Sequence, residues 1–112
     1  MKNILALLTS ALFLSVVLTL SHALLRAAAL YTPFALPWFI RVAPALLLYG
    51  VVFIAYTFLL KYFDISLLYP IYTAISIIGV SLVGIAYFGE SFTYSKLIGM
   101  TFLLLGISLI SL

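Results

Sequence analysis

The chain has 112 residues, 68% of them hydrophobic and only 6% charged, which leaves too little polar surface to clothe a water-soluble globule of this size. Its net charge of +3 comes from five basic residues against two acidic ones; set singly near the ends of apolar runs, they act as membrane-flank anchors and exclude the basic cluster that a nucleic-acid surface needs. There is no cysteine, so disulfides, thiol catalysis and iron–sulfur ligation are excluded.

A hydrocarbon core about 30 Å thick takes about 20 helical residues per crossing. The expectation is therefore an all-α membrane protein, a single four-helix transmembrane domain over residues 1–112 with helices near 3–27, 41–62, 66–88 and 94–112. The first apolar run, Asn3 to about Leu25 behind Lys2, imitates a secretory signal with Ser21-His22-Ala23 as a small-x-small site. Its apolar part, Ile4 to Leu20, is longer than a usual signal core, which predicts a retained first helix.

Between Tyr31 and Phe39, Pro33 and Pro37 stand among aromatic residues, which predicts a broken helix and an interfacial loop at headgroup level. Arg41 is expected to open the second helix, with Pro44 in its first turn, and the segment runs through Tyr49, Phe53 and Tyr56 to about Tyr62. Lys61 and Asp64 mark its exit, and the short link that follows predicts that helices two and three are antiparallel neighbours. The third helix is expected from Ser66 to Phe88 with Pro70 near its start, and the fourth from Tyr94 to the C-terminus. Lys2 and Lys61 fall on one side of the membrane and Arg26, Arg41 and Lys96 on the other. So even a count barely chooses an orientation, with a slight preference for both termini outside the cytoplasm.

Helical positions i, i+4, i+7 and i+11 share a face. Ser15, Thr19, His22 and Arg26 occupy them in the first helix, a polar stripe running from a cationic mouth to a hydroxyl near mid-membrane. Tyr69, Tyr72, Thr73 and Ser76 do the same in the third helix, and Tyr49, Phe53 and Tyr56 share a face of the second. Unpartnered polar groups are costly in hydrocarbon, so these faces are expected to enclose a substrate chamber with aromatic sides, hydroxyls within and a positive rim from Arg26 and Arg41. Taken singly, the serines and threonines also suit bonds to their own helix backbone, and the arginines suit snorkelling end-caps. Gly99 and Gly106, seven apart on the fourth helix, leave a groove for close helix approach, either to a second chain or within this one. No nucleophile–base pair, metal-ligand set or phosphate-cradling loop occurs, so neither enzymatic activity nor a cofactor is expected.

Tyr69, Tyr72, Phe88-Gly89-Glu90, Ile98-Gly99-Met100 and Gly106 resemble the last two helices of the small multidrug resistance proteins, four-helix members of the drug/metabolite transporter superfamily. The register of that resemblance runs from Tyr49 to the C-terminus. It implies an SMR-like bundle, a transport function, Tyr69 at the family's binding-site tyrosine, Tyr72 where the family commonly has tryptophan, and dimerisation through Gly99 and Gly106. The first helix departs from the family. Its drug exporters carry a membrane-embedded glutamate there, whereas this helix has no Asp or Glu and superposes Ser15 on that place.

A chamber without an acid but with arginine, hydroxyls and tyrosine faces suits a phosphate-bearing sugar, because guanidinium binds phosphate bidentately. The Ser15-Val16 pair is similar to one in the EamA-like branch, whose paired small subunits are associated with flipping aminoarabinose-phosphoundecaprenol. The expected function is translocation of a polyprenyl-phosphate-linked sugar, on undecaprenyl phosphate or a similar anionic lipid amphiphile, across the inner (cytoplasmic) membrane of a bacterium or archaeon. The expected partners are membrane lipid and either an identical chain or a similar small subunit. Two alternatives are a drug or small-metabolite exporter whose coupling uses no carboxylate, and a non-transporting subunit of a larger membrane complex.

Overall fold

The computed structural model describes residues 2–112, with side chains from Ile4 onward; the Lys2 flank used in the charge count lies outside the described side chains. Among the described residues the architecture is four helices: α1 (Lys2–Ala28), α2 (Leu36–Leu59), α3 (Ile65–Ala86) and α4 (Tyr94–Ile110). Three of them, α1, α2 and α3, are long and apolar enough to cross a membrane. The fourth has 17 residues, about 25 Å of helix at 1.5 Å per residue, and a helix that short fits a bilayer by thinning it locally.

The helices lie in the order α2, α1, α3, α4, because α1 packs against both α2 and α3 while α4 touches α3 alone. This corrects the expectation that α2 and α3 are packed neighbours. On α1 the small side chains Ala11, Ser15 and Ser21 are fully enclosed and let backbones approach closely. Between α2 and α3, by contrast, Tyr56 meets Tyr69 and Tyr72 with ring centroids 6.2 and 5.4 Å apart, and these bulky rings hold the two backbones apart. The result is a flat molecule of 48 × 36 × 17 Å with a radius of gyration of 15.5 Å, against about 13 Å for a compact domain of this length.

The buried core belongs to three helices: Leu7, Ala11 and Leu14 of α1, Val52 of α2, and Leu68, Ile71 and Tyr72 of α3. No residue of α4 is buried. A polar bond pins the α1–α2 seam, where the Ser21 hydroxyl, fully enclosed, donates to the Ala45 carbonyl at 2.8 Å. Ser21 entered the sequence reading only as part of a cleavage-like motif.

The second helix begins five residues earlier than expected, at Leu36 instead of Arg41. Pro37 does not break it; proline in the first helical turn has no intrahelical N–H bond to lose, and its fixed φ favours initiation. Pro44 then falls inside the helix, where its missing N–H takes the i+4 donor from the Ile40 carbonyl. In the loop before α2, Phe34 adopts a left-handed backbone with φ of 67°, and its ring packs against Trp38 and Phe39 at 5.0 and 6.1 Å. After α3, Gly89 takes φ of +70°, which reverses the chain before Thr93 caps α4 by accepting from the Lys96 amide at 3.2 Å.

Candidate functional site

Where α2 and α3 stand apart, a chamber of about 790 Å³ opens between them with α1 as its floor. Helix spacing explains its walls. Tyr49, Phe53 and Tyr56 come from one face of α2, Tyr69, Tyr72 and Thr73 from one face of α3, and His22 from α1. Tyr56, Tyr69 and Tyr72 form a mutual cluster, with the Tyr69 and Tyr72 rings 5.6 Å apart and edge-to-face. Tyr56 belonged to the aromatic face read from the sequence but was not among its candidate site residues. Tyr72 is 6% exposed, whereas Phe53 and Tyr69 remain 70% and 51% exposed, so the chamber is open on the side where these two stand.

Polar groups in the chamber are few and specific. The Tyr49 hydroxyl and His22 Nε2 share a hydrogen bond of 2.8 Å, with the rings edge-to-face at 5.4 Å. The Thr73 hydroxyl is enclosed and has no hydrogen-bond partner. Enclosing a hydroxyl unpaired costs about 1–3 kcal/mol, and the oxygen meets a polar atom of a ligand only after neighbouring side chains shift to uncover it. Apart from tyrosines, His22 is the only ionisable residue lining the chamber among the described residues, and no carboxylate reaches it.

The expected first-helix stripe does not line one space. His22 faces the chamber, but Ser15 and Thr19 face a separate groove of about 280 Å³ between α1 and α3. The Ser15 hydroxyl donates to the Leu12 carbonyl of its own helix at 2.8 Å, and Thr19 lies against Gly79. The reason is that α3 packs directly on this face of α1, so the contact divides it. Ser76 is likewise turned to its own backbone, donating to the Tyr72 carbonyl at 2.7 Å.

The two arginines of the expected rim also part company. Arg41 stays with the first turns of α2 and the loop before it, its Nη1 donating to the Pro37 carbonyl at 3.1 Å and its guanidinium 4.3 Å over the Tyr31 ring. Arg26 lines a smaller cavity of about 90 Å³, beside the chamber and sharing His22 with it. There its Nε donates to Glu90 Oε2 at 3.3 Å, and Phe88 lies 5.2 Å beneath the guanidinium. Glu90, at the turn and still 43% exposed, reaches Arg26 because Gly89 reverses the chain and the Glu90 amide donates to the Gly84 carbonyl at 3.0 Å. Sequence spacing carries no signal for a pairing across 64 residues; the left-handed glycine before it was the one available hint.

Gly99 and Gly106 face a groove of about 330 Å³ between α3 and α4, together with Pro70, Ala74 and Phe102. No other part of the chain comes within 4 Å of where a β-carbon would stand on either glycine. Their close-approach surface is therefore not used within this chain. Among the described residues no group of three His, Cys, Asp or Glu side chains is arranged to hold a metal ion.

Comparison with known proteins bears on the family of these apolar helices. No protein of curated function and no solved structure matches the chain. The family model described as Small Multidrug Resistance protein matches residues 4–103. With nearly all of its length matched, and four apolar helices of which three line a tyrosine-walled space, the chain belongs to the Small Multidrug Resistance protein family.

Proposed function

We propose that this small membrane transporter moves a polyprenyl-phosphate-linked sugar, or an amphiphile of the same chemistry, across the inner membrane of a bacterium or archaeon. The observation that carries this reading is a chamber without a carboxylate that adjoins an arginine. Sugar rings stack on tyrosine faces, and their hydroxyls find partners in the His22–Tyr49 pair and in the Thr73 hydroxyl. The phosphate, which joins the sugar to the lipid tail, is received one helical turn beyond His22, at Arg26. In this reading Ser15, Thr19, Ser76 and Arg41 support packing and loop structure instead of touching substrate. The unit is a dimer, of two identical chains or of two similar ones, that buries the open face carrying Gly99 and Gly106.

The test is headgroup translocation of a short-chain polyprenyl-phosphate sugar in proteoliposomes. Losing a charge-assisted bond in Arg26→Ala slows it about tenfold, and losing one neutral bond in Tyr69→Phe about threefold. If neither variant changes the rate, the assignment of the path is wrong.

One observation favours a second reading, export of a drug or small metabolite. Three tyrosine rings gathered on one side of the chamber offer the electron-rich faces that attract a quaternary ammonium group. Cells expressing the chain should gain no protection from quaternary ammonium compounds; protection would favour this alternative.

A further inference from the structure

We propose that Glu90 is a tethered stand-in for the anionic group of the substrate, holding Arg26 in the resting chain until a lipid-borne phosphate takes its place. The proposal rests on the anionic-amphiphile reading above and adds to it a competitor carried by the chain itself.

Three features put the Glu90 carboxylate where it is. The left-handed Gly89 turns the chain back, the Glu90 amide is fixed to the Gly84 carbonyl at 3.0 Å, and the missing side chain of Gly84 leaves the gap that the carboxylate fills. A β-carbon on Gly84 would collide with Glu90 Oε1. A carboxylate held by a reversed turn above a glycine gap is a positioned group, although water still reaches it.

The pair it makes is suited to exchange. Only Arg26 Nε is engaged, at 3.3 Å, and the two side chains are 41% and 43% exposed. A single contact of this kind contributes at most about 1 kcal/mol. Guanidinium has five N–H donors, and a phosphate takes two of them side by side with more charge than one carboxylate oxygen offers. Location points the same way, since His22 lines both the chamber and the Arg26 cavity, and Arg26 stands about 6 Å along the helix from it. An anion at Arg26 is thus joined to a headgroup in the chamber. Its arrival releases the Glu90 carboxylate, while the backbone bond to Gly84 keeps the turn in place.

The experiment is calorimetric titration of the full chain in neutral-lipid nanodiscs with a short polyprenyl phosphate, the matched uncharged polyprenol, and inorganic phosphate alone. Glu90→Gln should bind the polyprenyl phosphate about fivefold more tightly than the wild type, with the polyprenol unchanged. Gly84→Ala should do the same with Glu90 still present, because its β-carbon needs only the far end of a flexible side chain to move. A wild type that prefers the phosphate over the polyprenol, with no gain in either variant, overturns the stand-in role and leaves the transport reading intact. No preference for the phosphate in any of the three proteins overturns both. Inorganic phosphate binding as tightly as the polyprenyl phosphate overturns the lipid-borne ligand, and the proposal with it.

Discussion

Gly79 of α3 lies against Thr19 of α1, and replacing it with alanine tests how these helices are held. A β-carbon there would stand 2.7 Å from Thr19 Oγ1 and 3.4 Å from Thr19 Cγ2. The first distance is about 0.7 Å short of where ordinary contact begins. Turning the threonine about χ1 relieves the clash only in the rotamer that presents Hβ to the glycine, and threonine in a helix keeps mainly to two of its three rotamers. Where that rotamer is disfavoured the helices must separate, and overpacking of this kind costs about 1–3 kcal/mol. Alanine recovers up to about 1 kcal/mol through its better helix propensity, which leaves a net loss of about 1 kcal/mol. Thr19→Ala added to Gly79→Ala empties the space the new methyl needs, so the double variant should show a favourable coupling of about 1–2 kcal/mol. Unfolding titrations in detergent micelles, followed by circular dichroism, measure all four corners of that cycle. A Gly79→Ala protein as stable as the wild type, or a coupling below about 0.5 kcal/mol, would refute this packing of α1 on α3.

Three further outcomes are expected. Ser21→Ala removes the buried bond to the Ala45 carbonyl and should cost about 0.6–1.7 kcal/mol in the same titration; an unmoved midpoint would mean that the α1–α2 seam does not depend on it. Thr73→Val replaces the unpartnered hydroxyl with a methyl, so the empty protein should keep or gain stability, by up to about 1 kcal/mol, while affinity for the transported headgroup falls about threefold. Equal affinity would show that the hydroxyl takes no part in binding. Gly106→Leu fills the open α4 groove and should weaken self-association, read as energy transfer between labelled chains in bilayers, about tenfold. Unchanged transfer would remove this face from the dimer contact.

The helix count was legible in the sequence because an apolar run of about 20 residues has few other uses. The tyrosine walls were legible because i, i+4, i+7 spacing survives in any straight helix. What was not legible depended on the directions in which neighbours approach. Ser15, Thr19, His22 and Arg26 do share one face of α1, but α3 lands on that face at Thr19 and Gly79. A stripe found by periodicity gives the angle around its own axis and nothing about where the next helix crosses it. The start of α2 was misplaced for a local reason: Pro37 both interrupts and initiates helices, and only the path of the preceding loop decides between the two. Glu90 is the third case, since its partner lies on a helix that packs beside α3 but is remote in sequence.

The detachment of α4 from everything except α3 has a consequence for how the molecule comes apart. Its covalent boundary and its cooperative boundary do not coincide, for among the described residues every buried side chain belongs to the first three helices, and α4 adds only the partly buried Ile107 to their core. Melting should therefore proceed in two stages, an early one in which the last segment loosens and a later collapse of the trio. Only the early stage should move with protein concentration.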